Sequence, residues 1–192
     1  AMEDYLQQHG RDLERYAYVK ARPVYGAEPG FNDLYREALR PFVYRRYLDF
    51  GVFESLRTMK ELIAREVERR ELQQNVKLGP GGIREIEFIV QAFQLLRGGS
   101  TQRLQTRILL EALPQLAGQK LLPSATVEEL LAAYRFLRRV ENRLQEWNDE
   151  QTHELPVDDH ARARLALAMG LPGWPELKLE LEHQRGRVSA HF

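Results

Sequence analysis

An all-α, multi-helix bundle is the fold class this sequence predicts, and three observations predict it. Apolar residues recur at steps of three and four over long stretches, as the buried stripe of a helix requires. No stretch of clean period-two alternation is bounded like a strand. Proline and glycine fall between the periodic segments, as in Leu122-Pro123-Ser124, Leu155-Pro156 and Leu171-Pro172-Gly173, and read as turns.

The elements follow in order. A first helix is expected at about 3–21 and a second at about 31–44. Residues 22–30 between them hold Pro23, Gly26, Pro29 and Gly30 and read as a hinge. Val52, Leu56, Met59, Ile63 and Val67 form one apolar stripe over four turns. Ile83, Ile86, Val90, Phe93 and Leu96 form another, closed by Gly98 and Gly99. After a short helix at about 107–118 comes the longest pattern: Val127, Leu131, Tyr134, Leu137, Val140 or Glu141, Leu144 and Trp147. It opens on Thr126-Val127-Glu128-Glu129, a capping-box pattern in which the end side chains each satisfy a free backbone N–H. Two further helices are expected at about 158–169, with Asp158 and Asp159 at its start, and 175–190, after Trp174.

Bulk properties exclude several function classes. The 192 residues suffice to bury a core without a metal or disulfide staple. Cysteine is absent, which excludes thiol catalysis and Cys-ligated zinc and fits a reducing compartment. Basic and acidic residues balance at 28 each, so no global field favours nucleic acid or an anionic membrane. Arg36, Arg40, Arg45 and Arg46 among Phe42, Tyr44 and Tyr47 could suggest base stacking, but neutral charge and an apolar helical setting argue against it. His153 and His160 are separated by a turn and make no metal clip. No apolar run reaches the length of a membrane span, and no signal-peptide pattern opens the chain.

The stretch that carries chemistry is Lys77-Leu78-Gly79-Pro80-Gly81-Gly82-Ile83-Arg84-Glu85-Ile86-Glu87-Phe88. Three glycines in four residues allow a tight bend or a close backbone approach, and a loop of this kind before a helix can present N–H groups to an anion. Lys77 could meet a phosphate there, with Gly79, Gly81 and Gly82 admitting it to the backbone; the plainer reading is a surface lysine before a structural turn. Ile83, Ile86 and Val90 define the buried side of the helix that follows, which leaves Glu87 at its margin. Arg84 and Glu85 could pair with Arg138, Glu141 or Arg143 and simply fix two helices together. A Gly-Ser-x-Asp-x-Asp-like element for holding divalent metal is missing. The closest acid pair, Asp158-Asp159, reads as capping and dipole chemistry.

The wording of that stretch resembles the signature of the bacterial glutamine synthetase adenylyltransferase/adenylyl-removing enzymes. A looser form occurs in the related uridylyltransferases that modify the PII nitrogen-signalling protein. Three other stretches agree with the adenylyltransferase family: Gly10 to Ala17 with Lys20-Ala21-Arg22, Arg45 to Phe50, and Phe136 to Gln145 with Asn148 to Thr152. Such enzymes join two nucleotidyltransferase units. The adding unit tends toward an acid-glycine-glycine loop with threonine where Arg84 stands, so this chain resembles the amino-terminal, adenylyl-removing half.

The resemblance implies the following. Residues 1–2 are expected to be left from expression, 3–30 to be the last helix and hinge of the nucleotidyltransferase unit, and 31–192 to be the helical bundle domain behind it. The metal-binding aspartates should lie upstream, so the fragment alone should be inactive, with no catalytic residue and no metal site. Mg2+ and ATP or ADP with phosphate serve the intact enzyme, and none is expected bound here. The candidates for nucleotide, phosphate or substrate binding are Lys20, Arg22, Lys77, Gly79, Gly81, Gly82, Arg84 and Glu85. Those for a structural network are Glu87, Arg138, Glu141 and Arg143. Leu13 stands where the family commonly has tryptophan, which weakens the packing analogy for the first helix but not the cationic one. Arg11, Arg15 and Arg22 fall near one face of that helix and read either as a solvated face or as a wall turned toward nucleotide.

The implied partners are glutamine synthetase, uridylylated PII and the adenylylating half, in the cytoplasm, with neither nucleic acid nor membrane. Two roles follow from different classes. In one, the glycine loop and basic helix form the wall of a nucleotide or phosphate site. In the other, the bundle is a regulatory module that docks PII or glutamine synthetase, and the motif residues are scaffolding. The direction of Lys77, Arg84 and Glu85, into a cleft or into the bundle, separates them.

Overall fold

The computed structural model describes residues 2–22, 33–45, 51–148 and 151–192. The hinge expected at 22–30 lies outside the described residues apart from Arg22, as do Arg46 and Tyr47. Nine α-helices and no strand occur among the described residues, which is the expected class. Two compact units divide the chain, the first Ala1–Leu62 with Val90–Leu122, the second Ile63–Ile89 with Pro123–Phe192.

The first unit opens with α1 (Met2–Gln8) and α2 (Asp12–Tyr18), where one helix was expected at 3–21. Gly10 and Arg11 break it. A Cβ on Gly10 would stand 2.3 Å from the Phe42 ring and 2.5 Å from the Leu6 carbonyl oxygen. The Arg11 backbone is extended, and its N–H donates to the Glu14 carboxylate at 2.8 Å. A π-helix (Leu34–Leu39) then runs into the single turn α3 (Arg40–Val43). The long α4 (Gly51–Arg69) starts in this unit and ends in the second, and α5 (Ile83–Arg97) does the reverse. After α5, Gln94 gathers the next loop, donating to the carbonyls of Leu104 at 2.7 Å and Thr106 at 2.6 Å. Leu109, Leu113 and Leu116 of α6 (Leu109–Gly118) are buried with Leu95 and Leu104.

Arg15 on α2 is expected on a face either solvated or turned toward nucleotide. Its side chain is instead wholly buried. Nε and Nη2 donate to the carbonyls of Phe42 and Val43, each at 3.1 Å, and Nη1 to Asp12 at 3.1 Å. These carbonyls end α3, so a guanidinium fork does there what a capping residue does elsewhere.

The second unit is built on α7 (Ser124–Asn148), α8 (Asp159–Ala168) and α9 (Trp174–His191), with α9 packed on both others. The stripe on α7 holds for Val127, Leu137 and Val140, joined by Leu130 and Ala133, all buried. The capping box expected at Thr126 does not form the start. The helix begins at Ser124, because the Pro123 carbonyl already accepts the Val127 N–H at 3.1 Å. Trp147 leaves the stripe at its far end, 59 % exposed, with the Arg164 guanidinium over its ring at 3.3 Å. Asp158 caps α8 by accepting the Ala161 N–H at 2.8 Å, as its place in the sequence requires.

Candidate functional site

The glycine-rich loop joins the end of α4 to α5 within the second unit. After a 3-10 turn (Leu72–Gln74), the chain runs antiparallel to the segment that follows α7. Val76 N–H donates to the His153 carbonyl at 2.8 Å, and Leu155 N–H to that of Gln74 at 3.0 Å. Asn75 then folds the loop. Its side-chain oxygen accepts the N–H groups of Lys77 at 3.0 Å and Leu78 at 2.7 Å, while its amide nitrogen donates to Glu154 at 2.6 Å. An asparagine accepting from residues two and three ahead is a local turn device.

Four further amides are also spent inside. Gly79 N–H donates to the Asn75 carbonyl, Gly82 to Gly79, Ile83 to Val76 and Arg84 to Lys77, at 2.9–3.2 Å. Most of the N–H groups that a phosphate would need are thus held by the loop's own oxygens. The glycines serve closeness of another kind. Gly81 has φ +66°, and a Cβ there would lie 2.2 Å from the Arg185 carbonyl oxygen on α9. Arg185 in turn donates to the carbonyls of Gln73 (2.9 Å) and Asn75. Burial lowers the Arg185 pKa, and the charges of Glu85 and Glu154 work against that. Loop and last helix are therefore locked backbone to backbone and through one guanidinium.

Behind the loop lies a buried carboxylate. Glu141 of α7 is 2 % exposed and faces Lys77 Nζ at 3.8 Å, the His153 ring Nδ1 at 3.0 Å, and Arg138 one turn earlier on its own helix. A carboxylate removed from water needs such partners, since desolvation alone would cost several kcal/mol, a rough figure. Of the network candidates, the structure joins Arg138 and Glu141. Arg143 pairs with Glu146 three residues on, on the exposed side of α7. Glu87 is half-buried at the margin of α5, as its position on the wheel requires, and its charge reaches Tyr134. Burial raises the Tyr134 phenol pKa; Arg138 opposes that, and Glu87 and Glu141 add to it.

Of the binding candidates, Lys77, Gly79, Gly81, Gly82 and Glu85 turn inward, Lys77 half-buried and the others buried; Arg84 is exposed. Lys20 and Arg22 are exposed and belong to the first unit, whereas the loop belongs to the second. Asn75 and Arg185 are not singled out by the sequence, and His153 is weighed there only as a metal ligand. Asn75 carries a signal, an asparagine just before a glycine-rich turn. His153 and Arg185 carry none, being brought in by chain folding from far along the sequence.

Divalent metal finds no fit here. Among the described residues no group of three His, Cys, Asp or Glu side chains is placed to hold an ion. Asp158 spends its carboxylate on a helix cap. No described helix is long and apolar enough to cross a membrane.

These features define an all-α bundle braced on a glycine-rich loop. The chain belongs to the family described as GlnD PII-uridylyltransferase, whose model matches residues 57–192. It is also 55% identical, over all 192 residues, to a protein of Nitrosococcus oceani named bifunctional glutamine synthetase adenylyltransferase/adenylyl-removing enzyme. The chain spans 20% of that relative's length.

Proposed function

We propose that this chain is the helical domain of the adenylyl-removing half of a glutamine synthetase adenylyltransferase. The intact unit, a nucleotidyltransferase, moves AMP from a modified tyrosine of glutamine synthetase onto phosphate, giving ADP and unmodified synthetase. The observation that carries this reading is the 55% identity across the whole chain. The Mg2+ and nucleotide chemistry belongs, on this reading, to carboxylates outside these 192 residues, in a cytoplasmic enzyme. The signature loop acts as a brace. Most of its amides are used internally, Gly81 admits the α9 backbone, and Lys77 neutralises buried Glu141.

A second reading makes the bundle a docking module for uridylylated PII, for glutamine synthetase or for the adenylylating half. The inward direction of Lys77 and Glu85, beside an exposed Arg84, favours it over direct nucleotide contact by the loop. Lys77→Ala and Arg84→Ala in the full-length enzyme separate the two. A brace predicts that Lys77→Ala lowers the melting temperature and that phosphorolysis falls only with the folded fraction. A nucleotide contact predicts lost turnover at unchanged melting temperature, and that outcome would sink the brace. Weakened binding of uridylylated PII by Arg84→Ala, at intact turnover with saturating PII, would establish the docking role.

A further inference from the structure

The first unit contains a polar cleft remote in sequence from the glycine-rich loop. It has a volume of about 280 Å³ and is lined by Tyr35, Arg36, Arg40, Gln102 and Gln105. Two guanidiniums, a phenol and two carboxamides form this lining, and no carboxylate is among the described residues that line it. From this lining and its rigid backing we infer that the cleft is a binding site for a phosphoryl group, as free phosphate or as a phosphate monoester. The inference is independent of the function proposed above and concerns different residues.

Three features build the site. The first is the backbone of the π-helix, in which the Arg40 N–H bonds to the Tyr35 carbonyl five residues back. In an α-helix, side chains five apart diverge by about 140° around the axis. The wider turn reduces that divergence, and Tyr35, Arg36 and Arg40 line one cleft. Wide turns of this kind are rare and occur often at functional sites.

The second feature is the backing of Arg40. Its Nε donates to Gln105 Oε1, and Gln105 Nε2 donates to the Gly98 carbonyl at 2.6 Å. Gly98 is itself pressed against the Tyr44 ring, where a Cβ would come within 2.4 Å of the ring edge. This chain fixes which way the Gln105 amide faces and holds the guanidinium by Nε. The two terminal nitrogens remain as a fork for a tetrahedral oxyanion. Pre-organised donors lose little entropy when a ligand arrives.

The third feature is the balance of donors. Arg36, Arg40, the Tyr35 hydroxyl and the Gln102 amide can all donate, and the charge of the lining is that of two cations. A dianionic phosphoryl group satisfies such a set, whereas a neutral amide or sugar would leave both guanidiniums uncompensated. The volume falls just under the range usual for small-molecule sites, about 300–1,000 Å³. It suits a phosphoryl group with a small appendage and not a whole dinucleotide.

The test is a titration of the 192-residue chain with inorganic phosphate at pH 7.5 and constant ionic strength, followed by amide shifts in NMR and by calorimetry. Saturable binding is expected, with shifts centred on residues 35–40 and 102–105. Arg36→Gln should weaken it about tenfold or more, the loss of a charge-assisted bond, whereas Lys178→Gln, at an exposed lysine outside the cleft, should leave it unchanged. Arg36 is exposed, so that variant should keep the wild-type melting temperature. Arg40→Lys keeps the charge but loses the fork, and should weaken binding without unfolding the chain. Glycerol 3-phosphate distinguishes the sources: tighter binding than phosphate points to an ester, weaker binding to the free ion. Absence of saturation, equal competition by chloride, or indifference to Arg36→Gln would overturn the site.

Discussion

Gly81 is the residue on which the signature loop turns. Its positive φ of 66° disfavours any side chain, and its Cα faces the α9 backbone at Arg185 with no room for a methyl group. Gly81→Ala should therefore destabilise the protein by roughly 3 kcal/mol, adding left-handed strain to an immovable backbone contact. Gly186, next along α9 from Arg185, makes the control: a Cβ there meets nothing within 4 Å. Gly186→Ala should stabilise by about 0.5–1 kcal/mol, as for a glycine within a helix. Urea unfolding of both variants checks the pair, and equal effects would remove the claim that Gly81 is held by α9. The need for glycine at 81 was legible in the sequence, because three glycines in four residues imply a tight bend or a close approach. What approaches was not. An anion and a helix backbone demand the same missing Cβ, and Arg185 stands more than a hundred residues away.

At the scale of elements, the short α2 is tied to α4 by one carboxylate. Asp12 accepts the Ser55 hydroxyl at 2.6 Å and the Arg15 guanidinium at 3.1 Å. Burial pushes the Asp12 pKa up, but these bonds outweigh it and hold the carboxyl below its ordinary value. A lowered folded-state pKa stabilises fully above the unfolded value of about 3.9 and is lost as pH falls through the folded value. Ser55→Ala weakens that depression. Its melting temperature should lie below wild type from pH 5 to 7, and the gap should narrow as pH falls below the unfolded value and Asp12 takes up its proton. A gap that stays constant down to pH 2 would mean that the Ser55 hydroxyl acts otherwise than through the Asp12 charge. The long helices here were legible from periodicity, since stripes such as Ile83, Ile86 and Val90 bury as the spacing requires. The break at Gly10 and Arg11 was not, because it depends on the Phe42 ring filling the place of a Cβ. For the same reason the burial of Arg15 was hidden: charge spacing marks a face but not what covers it.

At the scale of the molecule, formal charge cancels, 28 basic against 28 acidic residues, with a sequence pI near 7.2. A chain without net charge lacks the long-range repulsion that keeps molecules apart. Solubility should pass through a minimum near pH 7 and rise on either side, read as the protein remaining in solution across a pH series. A monotonic trend would mean that particular patches, and not net charge, govern association. Both units draw on two separate stretches of chain, and that arrangement was not legible locally, because no linker composition marks it. It also sets an order of events at the ribosome. The Arg185 guanidinium that clasps the Gln73 carbonyl lies 112 positions downstream of it. Synthesis proceeds at about 5–20 residues per second, so the nascent loop waits roughly 5–20 s for its far wall. During that interval the most characteristic stretch of this sequence is an open, unclasped segment, accessible to proteases and chaperones until the last helix has emerged.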